Sequence, residues 1–237
     1  GLQPSIAFQG SAGMSAQDGL TAVVEGLPYV MGGVGVTLAV VGGALAMGLV
    51  LGLLLALAQV YGHLWLRRLT GVYVWFFRGM PLLVLLFLFY FGLLAALEIE
   101  LSPFTIAIVV LGLISSAYQS QILRGALLSV PAGQMKAARS LGMSDTRAVL
   151  FIVLPQALRL ALPGWSNEYT VIMKDSAVTY ALGVAELMAR ANHVASRTYQ
   201  HLWLYVMVGL IYLLLTYLGT RALRVLEERV AMAGYTR

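Results

Sequence analysis

Residues 130–158, reading VPAGQMKAARSLGMSDTRAVLFIVLPQAL, form a polar, basic interruption in an otherwise apolar chain. The segment opens at Pro131 and closes at Pro155. Between the prolines MKAARSL is rich in helix formers and Gly142 stops that helix. Ser144 with Asp145 can then cap a second short helix running to Leu154. A helix–glycine–helix unit between long apolar stretches has one face for membrane-embedded helix ends and one face free for a partner. Ala137 and Ala138 are small enough for close approach, and Leu141, Met143 and Val149 offer apolar anchors. Gly142 permits a left-handed turn that a side chain would resist. An ordinary interfacial helix between two spans has the same composition, so composition leaves both readings open.

The surroundings of this segment are those of a membrane protein. Of 237 residues, 60% are hydrophobic and 11% charged, with a mean hydropathy of +0.85; soluble domains carry about 25% charge. The 25 glycines suit helices packed closely in a bilayer. Without cysteine there are no disulfides, no thiol catalysis and no cysteine-ligated metal. The net charge of +5 comes from arginines spread over the segments between apolar stretches. That pattern fits membrane orientation better than nucleic acid. Residues 1–13 carry no charge and no apolar stretch of insertion length, and read as a vector-derived extension, with Met14 the native start. No basic stretch and cleavage site mark a removable signal peptide, so the first span is expected to insert and stay.

A bilayer core needs about 20 apolar residues per helix. Five segments qualify: 34–60, 80–97, 101–123, 158–185 and 202–220. The fourth contains Pro163, Asn167, Glu168, Lys174, Asp175 and Gly183, which a lipid-facing helix would not tolerate but a helix lining an enclosed cavity would. With the N-terminus outside, the inner segments collect Arg67, Arg68, Arg78, Arg124, Lys136, Arg139, Arg147, Arg159, Arg221, Arg224, Arg229 and Arg237, 12 of the 15 basic residues. The sequence thus describes one all-α integral membrane domain, 14–237, with its N-terminus outside and its C-terminus and 130–158 loop in the cytoplasm. Arg78 is expected to snorkel to headgroups at the inner surface, and residues 221–230 to extend the last span as a solvated helix.

Catalytic signals are sparse. His63, His193 and His201 lie at or near span ends without metal-ligand spacing, and no Walker-type phosphate loop occurs. In the fourth span Glu168 and Asp175 are seven apart and share a helix face. Asn167, Glu168, Lys174 and Asp175 either line a path for a zwitterionic solute or form a structural pair locking a broken helix; Ser115, Ser116, Tyr118 and Gln119 either face the same cavity or bond to adjacent helices.

The order of parts in 130–158 is more specific than its composition: Ala137-Ala138, then Gly142, then an apolar run ending in Leu154-Pro155. This resembles the EAA loop of ABC importer permeases, by which a permease grips its ATPase. Other motifs extend the likeness over roughly 30–225: Gly35-Val-Thr37-Leu, 73–81 (YVWFFRGMP), Ala117-Tyr118 through Arg124-Gly125, Leu154-Pro155-Gln156-Ala157, and Asn167-Glu168 followed by Lys174-Asp175-Ser176. Together they resemble the polar amino acid subfamily of bacterial ABC permeases, the histidine, glutamate, glutamine, arginine and opine group. Two positions depart from that pattern: Lys136 stands where the loop usually has glutamate, and Gln121 where the third span often has one.

The resemblance implies a homo- or heterodimer of five-span subunits in the bacterial cytoplasmic membrane. It also implies two cytoplasmic ATPases, which hold the ATP and Mg, and an extracytoplasmic amino acid binding protein. This chain would bind no cofactor and perform no covalent chemistry. Lys136, Ala137, Ala138, Leu141, Gly142, Met143 and Pro155 would contact the ATPase. A secondary transporter or channel working without ATPase is the rival reading; it would need an ion site among Glu168, Lys174 and Asp175, and leaves the loop unexplained.

Overall fold

The computed structural model describes residues 16–230; the expectations placed on residues 1–13, on Met14 and on Arg237 lie outside these. The described chain is helical throughout: α1 (Ala16–Met31), α2 (Val34–Tyr61), α3 (Leu64–Gly79), α4 (Leu82–Ala96), α5 (Pro103–Ser129), α6 (Ala132–Ser140), α7 (Asp145–Leu182), α8 (Leu187–Thr198) and α9 (His201–Val230). Helices answer the demand that hydrocarbon places on backbone N–H and C=O groups, because each bonds within its own segment. Four of them, α2, α5, α7 and α9, are long and apolar enough to cross a membrane; α3 and α4 reach that length and hydropathy only as a pair, bent by 107° at the break between them, as in a broken span or a re-entrant loop.

That bend revises the second span. Residues 80–97 were expected to cross alone, but α4 at about 1.5 Å per residue is shorter than a bilayer core of about 30 Å. Bilayer length is reached only by α3 and α4 together. Pro81 has no N–H to continue the helix and forces Met80 out of the helical region (φ −90°, ψ 136°). The fourth span is also different at its start. Pro155 does not end a short helix at Leu154; α7 runs unbroken from Asp145 to Leu182. A π turn over Val149–Val153, closed by Leu154 N–H on the Val149 carbonyl, shifts the bonding register just before the proline. The Gln156 side-chain amide donates to the Ile152 carbonyl at 2.7 Å within this altered register.

Three apolar clusters hold the bundle. The middle one joins Val40, Val41 and Ala44 of α2, Val110, Leu111 and Ile114 of α5, Leu85 and Leu86 of α4, and Ile172 and Met173 of α7. At the end carrying α6, Ala56, Leu123, Leu127, Val153 and Ala157 pack together. At the opposite end, Val30 of α1 meets Leu187, Ala191 and Ala195 of α8 and Leu204 of α9. Helices α1 and α8 form a cap on that end which hydropathy did not single out, because both are amphipathic rather than apolar throughout.

Glu186 ties this cap to the spans. It is fully buried and caps α8 by accepting from Met188 N–H at 2.9 Å and Ala189 N–H at 2.7 Å. The Tyr212 hydroxyl of α9 donates to the same carboxylate, and Leu187 N–H donates to Thr37 Oγ1 of α2 at 3.2 Å. Burial pushes the Glu186 carboxyl above its usual range, while the bonds from Tyr212, Met188 and Ala189 pull it back. The folded chain therefore holds this proton more tightly than the unfolded one, and stability falls as pH rises from the ordinary carboxylate range through the raised value.

Two outcomes are expected of detergent-purified protein in thermal unfolding. Gly52→Leu should destabilise by about 1–3 kcal/mol through overpacking, because a Cβ at Gly52 meets Gln119 Cβ at 3.0 Å and the Ser116 carbonyl at 3.1 Å. Gly35→Leu, facing open space, should have little effect. Glu186→Ala should lose about 2 kcal/mol of capping and hydrogen bonding, while Glu186→Gln should flatten the decline of stability with pH described above.

Candidate functional site

A row of polar side chains crosses the interior where α2, α5 and α7 meet. Ser115 Oγ donates to Glu168 Oε1 at 2.6 Å. Gln119 Nε2 donates to Ser115 Oγ and to the Leu45 carbonyl, both at 3.0 Å. Ser115, Gln119 and Glu168 are at most 2% exposed. Gly48 makes the room: a Cβ there would lie 2.6 Å from Gln119 Nε2 and 2.8 Å from Ser115 Oγ. A charge-capable group at this depth is costly unless it is bonded, and the serine hydroxyl supplies a bond.

The other expected path residues divide between this row and its margins. Ser116 is buried and engaged by the Tyr73 hydroxyl of α3 at 2.7 Å. Asp175 is half-buried two residues beyond Met173, whereas Asn167 and Lys174 lie on the exposed side of α7. Tyr118 carries a partner that the sequence did not suggest. The guanidinium of Arg78 sits over its ring, 4.8 Å from the centroid. α3 carries Arg78 to the bend before Pro81, beside the middle of α5 (27 residues). Gln121, the other departure from the family pattern, donates to Gln59 Oε1 of α2 at 2.9 Å as one of two neutral amides.

No group of three or more potential metal ligands is assembled among the described residues. His63 caps α3, its Nδ1 accepting from Leu66 N–H at 3.3 Å. His193 packs beside Tyr29 and His201 beside Tyr205.

The 130–158 segment folds as a small, pinned unit. α6 ends where Gly142 adopts φ +80°, and Met143 N–H reaches back to the Ala138 carbonyl at 3.1 Å, with Gly142 N–H on the Arg139 carbonyl at 2.9 Å. Arg139 then grips Asp145 with two bonds of 2.8 and 3.0 Å, and Ser144 caps the start of α7. The Asp145 hydrogen bond, and after it the opposite charge, holds the Arg139 proton more firmly than usual. Ala138 and Val149 are buried against the bundle. Lys136, Ala137, Gly142 and Pro155 are exposed, Met143 is half-buried, and Leu141 projects with 82% of its surface free. Leu141 is thus an apolar side chain exposed on a turn held by five hydrogen bonds.

Known proteins share this arrangement. The “probable amino-acid ABC transporter permease protein YckA” of Bacillus subtilis is 35% identical over 208 residues, covering 88% of this chain and 92% of that one. The octopine transport system permease OccQ of Rhizobium meliloti is 35% identical, covering 86% of this chain and 90% of its own. A solved amino acid ABC transporter with histidines superposes with a TM-score of 0.80 at 32% identity, over 89% of this chain and 98% of that one. Residues 48–232 match the family described as the binding-protein-dependent transport system inner membrane component. The chain belongs to that family, as the membrane permease subunit of an ABC importer whose ATPase is a separate polypeptide.

Proposed function

We propose that this permease moves polar amino acids across the bacterial cytoplasmic membrane, with the α6 end in the cytoplasm and the α1–α8 cap outside. The observation that carries the reading is the docking unit, with its left-handed Gly142 and projecting Leu141, set at the end where most basic residues gather. Lys136, Ala137, Leu141, Gly142, Met143 and the exposed Pro155 would face the cytoplasmic ATPase, and buried Ala138 would set the unit against the bundle. A second permease subunit would complete the dimer. Between α1 and α8, Glu25, Tyr29, His193 and Arg197 line a cleft of about 300 Å³, and this charged outer face would receive the binding protein. The amino acid would pass beside Ser115, Ser116, Tyr118, Gln119, Asn167, Glu168, Lys174 and Asp175. Amino-acid and octopine substrates named for relatives support the polar, zwitterionic class.

The mechanism is alternating access. ATP closes the ATPase pair, the docking units are drawn together, and the spans tilt about the closely packed α2–α5 interface. The permease supplies binding groups and transmits movement; bond cleavage stays with the ATPase.

Two experiments test this. Gly142→Asp places a charged side chain at φ +80° and should abolish co-purification of the ATPase and reduce ATP-driven uptake at least tenfold, with the permease still folded by thermal unfolding. Uptake that persists without any ATPase would refute the importer reading. Because the chain has no cysteine, Leu141→Cys and His193→Cys report orientation directly. An impermeant thiol reagent should label His193→Cys in intact cells and Leu141→Cys in inverted vesicles only; the reverse pattern would overturn the topology.

A further inference from the structure

Helices α2 and α3 join at the Gly62-His63 turn, and an open groove of about 690 Å³ runs between them. Leu54 and Ala58 line one wall, and Leu66, Leu69, Val72 and Phe76 the other. The two hydroxyls in the groove are already bonded within the fold. Thr70 Oγ1 donates to the Leu66 carbonyl at 2.9 Å, and the Tyr73 hydroxyl engages Ser116 Oγ at 2.7 Å. The walls therefore offer an occupant hydrocarbon contact rather than hydrogen bonds, and left empty they would lack dispersion partners on one side. From Leu66 to Phe77 α3 rises roughly 16 Å. That is about half of a hydrocarbon core of about 30 Å, the depth of one leaflet.

Charge gathers at the turn end of the groove. Arg67 is used by the fold, its Nε on the Gly62 carbonyl at 2.9 Å and its Nη2 on the Val60 carbonyl at 2.7 Å. Arg68 is not: among the described residues its guanidinium makes no ion pair and no hydrogen bond, and its contact is the Trp65 ring, 5.6 Å from the centroid. Arg68, Val72 and Trp75 recur at i, i+4 and i+7. The free cation thus stands on the stripe of α3 that borders the groove, one turn nearer the Gly62-His63 turn. Tryptophan beside arginine at the end of an apolar helix marks headgroup level. An apolar channel of leaflet depth that ends in an unpaired cation matches a phospholipid in both its parts, chain and phosphate. A zwitterionic headgroup would bring a second cation towards Arg68; an anionic one would not.

We propose that the α2–α3 groove seats one anionic phospholipid of the inner leaflet, with an acyl chain between Leu54 and Phe76 and its phosphate on Arg68. The choice of leaflet rests on the orientation proposed above; the seat rests on the groove and its cation. Seated there, the lipid braces α3 along the length that leads to the bend at Met80-Pro81.

The test uses the complex of this permease with its partner subunits and ATPase, reconstituted in nanodiscs of phosphatidylglycerol and phosphatidylcholine with identical acyl chains. After release into detergent, native mass spectrometry measures the lipid retained per complex. Wild type should retain phosphatidylglycerol over phosphatidylcholine about fivefold, the contribution of one basic residue near an anionic surface. Arg68→Gln should remove that preference by lowering phosphatidylglycerol to the level of phosphatidylcholine, and Arg68→Lys should keep it. Ala58→Phe and Val72→Trp narrow the groove and should lower both lipids alike, with thermal unfolding showing each variant folded. Equal retention of the two lipids by wild type, an unchanged preference in Arg68→Gln, or full retention in both groove variants would overturn the proposal. So would a second copy of the chain in the groove, read as high-yield disulfide cross-linking of Val72→Cys in native membranes, since the chain has no other cysteine. Lipid retention does not depend on orientation, so reversed labelling of His193→Cys and Leu141→Cys would instead overturn the topology and with it the leaflet.

Discussion

The close approach of α2 to α5 at Gly48 and Gly52 is the constraint on which the rest of the bundle depends. Neither position has space for a Cβ: at Gly48 it would run into Gln119 and Ser115, at Gly52 into the α5 backbone. Lipid offers no hydrophobic drive for helices to associate, so the contact relies on dispersion over matched surfaces and on hydrogen bonds across them. Both are present here. The apolar part of the seam is Val40, Val41 and Ala44 against Val110, Leu111 and Ile114. Its polar part runs from the Leu45 carbonyl through Gln119 and Ser115 to Glu168 on α7. Moving α2 away from α5 by the width of a methyl group would therefore also disturb the partners of the buried carboxylate.

Much of this was legible in the chain. Apolar runs of bilayer length mark α2, α5 and α9 directly, and the helix–Gly142–helix pattern of the loop follows from local rules about helix formers, left-handed glycine and a serine cap. Those signals are short-range, which is why one sequence carries them. What stayed hidden depends on which elements meet. Nothing in LLVLLFLFYFGLLAA announces that its helix is sharply bent against the one before it. Met80-Pro81 gives the break but not its angle. Glutamate at position 186 is an unusual cap, since serine, threonine, asparagine and aspartate lead there. Its burial requires Tyr212, 26 residues further on, to supply a donor.

Arg78 shows how the reading of one residue depends on the element before it. A basic residue beside Met80-Pro81 and ahead of an apolar run reads as the start of a span. In the fold another helix leads into it: LWLRRLTGVYVWFFRG forms α3 and places Trp65, Leu69, Val72 and Trp75 on its exposed side. Two arginines in its first turn suppressed its hydropathy without making it a loop. Arg67 in fact turns back to the Val60 and Gly62 carbonyls, where it satisfies the end of α2. The two residues of one type thus serve opposite ends of one helix, and only the bend distinguishes their roles.

The continuity of α7 links the docking unit to the polar row. A helix ended at Pro155 would have left a joint between them, and displacement of the loop could have been absorbed there. Instead the π turn at Val149–Val153 lets one helix pass the proline, so Ser144, which caps it, and Glu168, near its middle, belong to a single rod. The Arg139–Asp145 pair joins α6 to the start of that rod, with Ala138 and Val149 buried against the bundle. Helices resist bending far more than turns do, and π turns and prolines are the places where they yield. Between Ser144 and Glu168 the places where this helix can yield are the π turn at Val149–Val153 and the two prolines, Pro155 and Pro163. Beyond them α7 carries the buried Glu168 carboxyl, which meets Ser115 of α5.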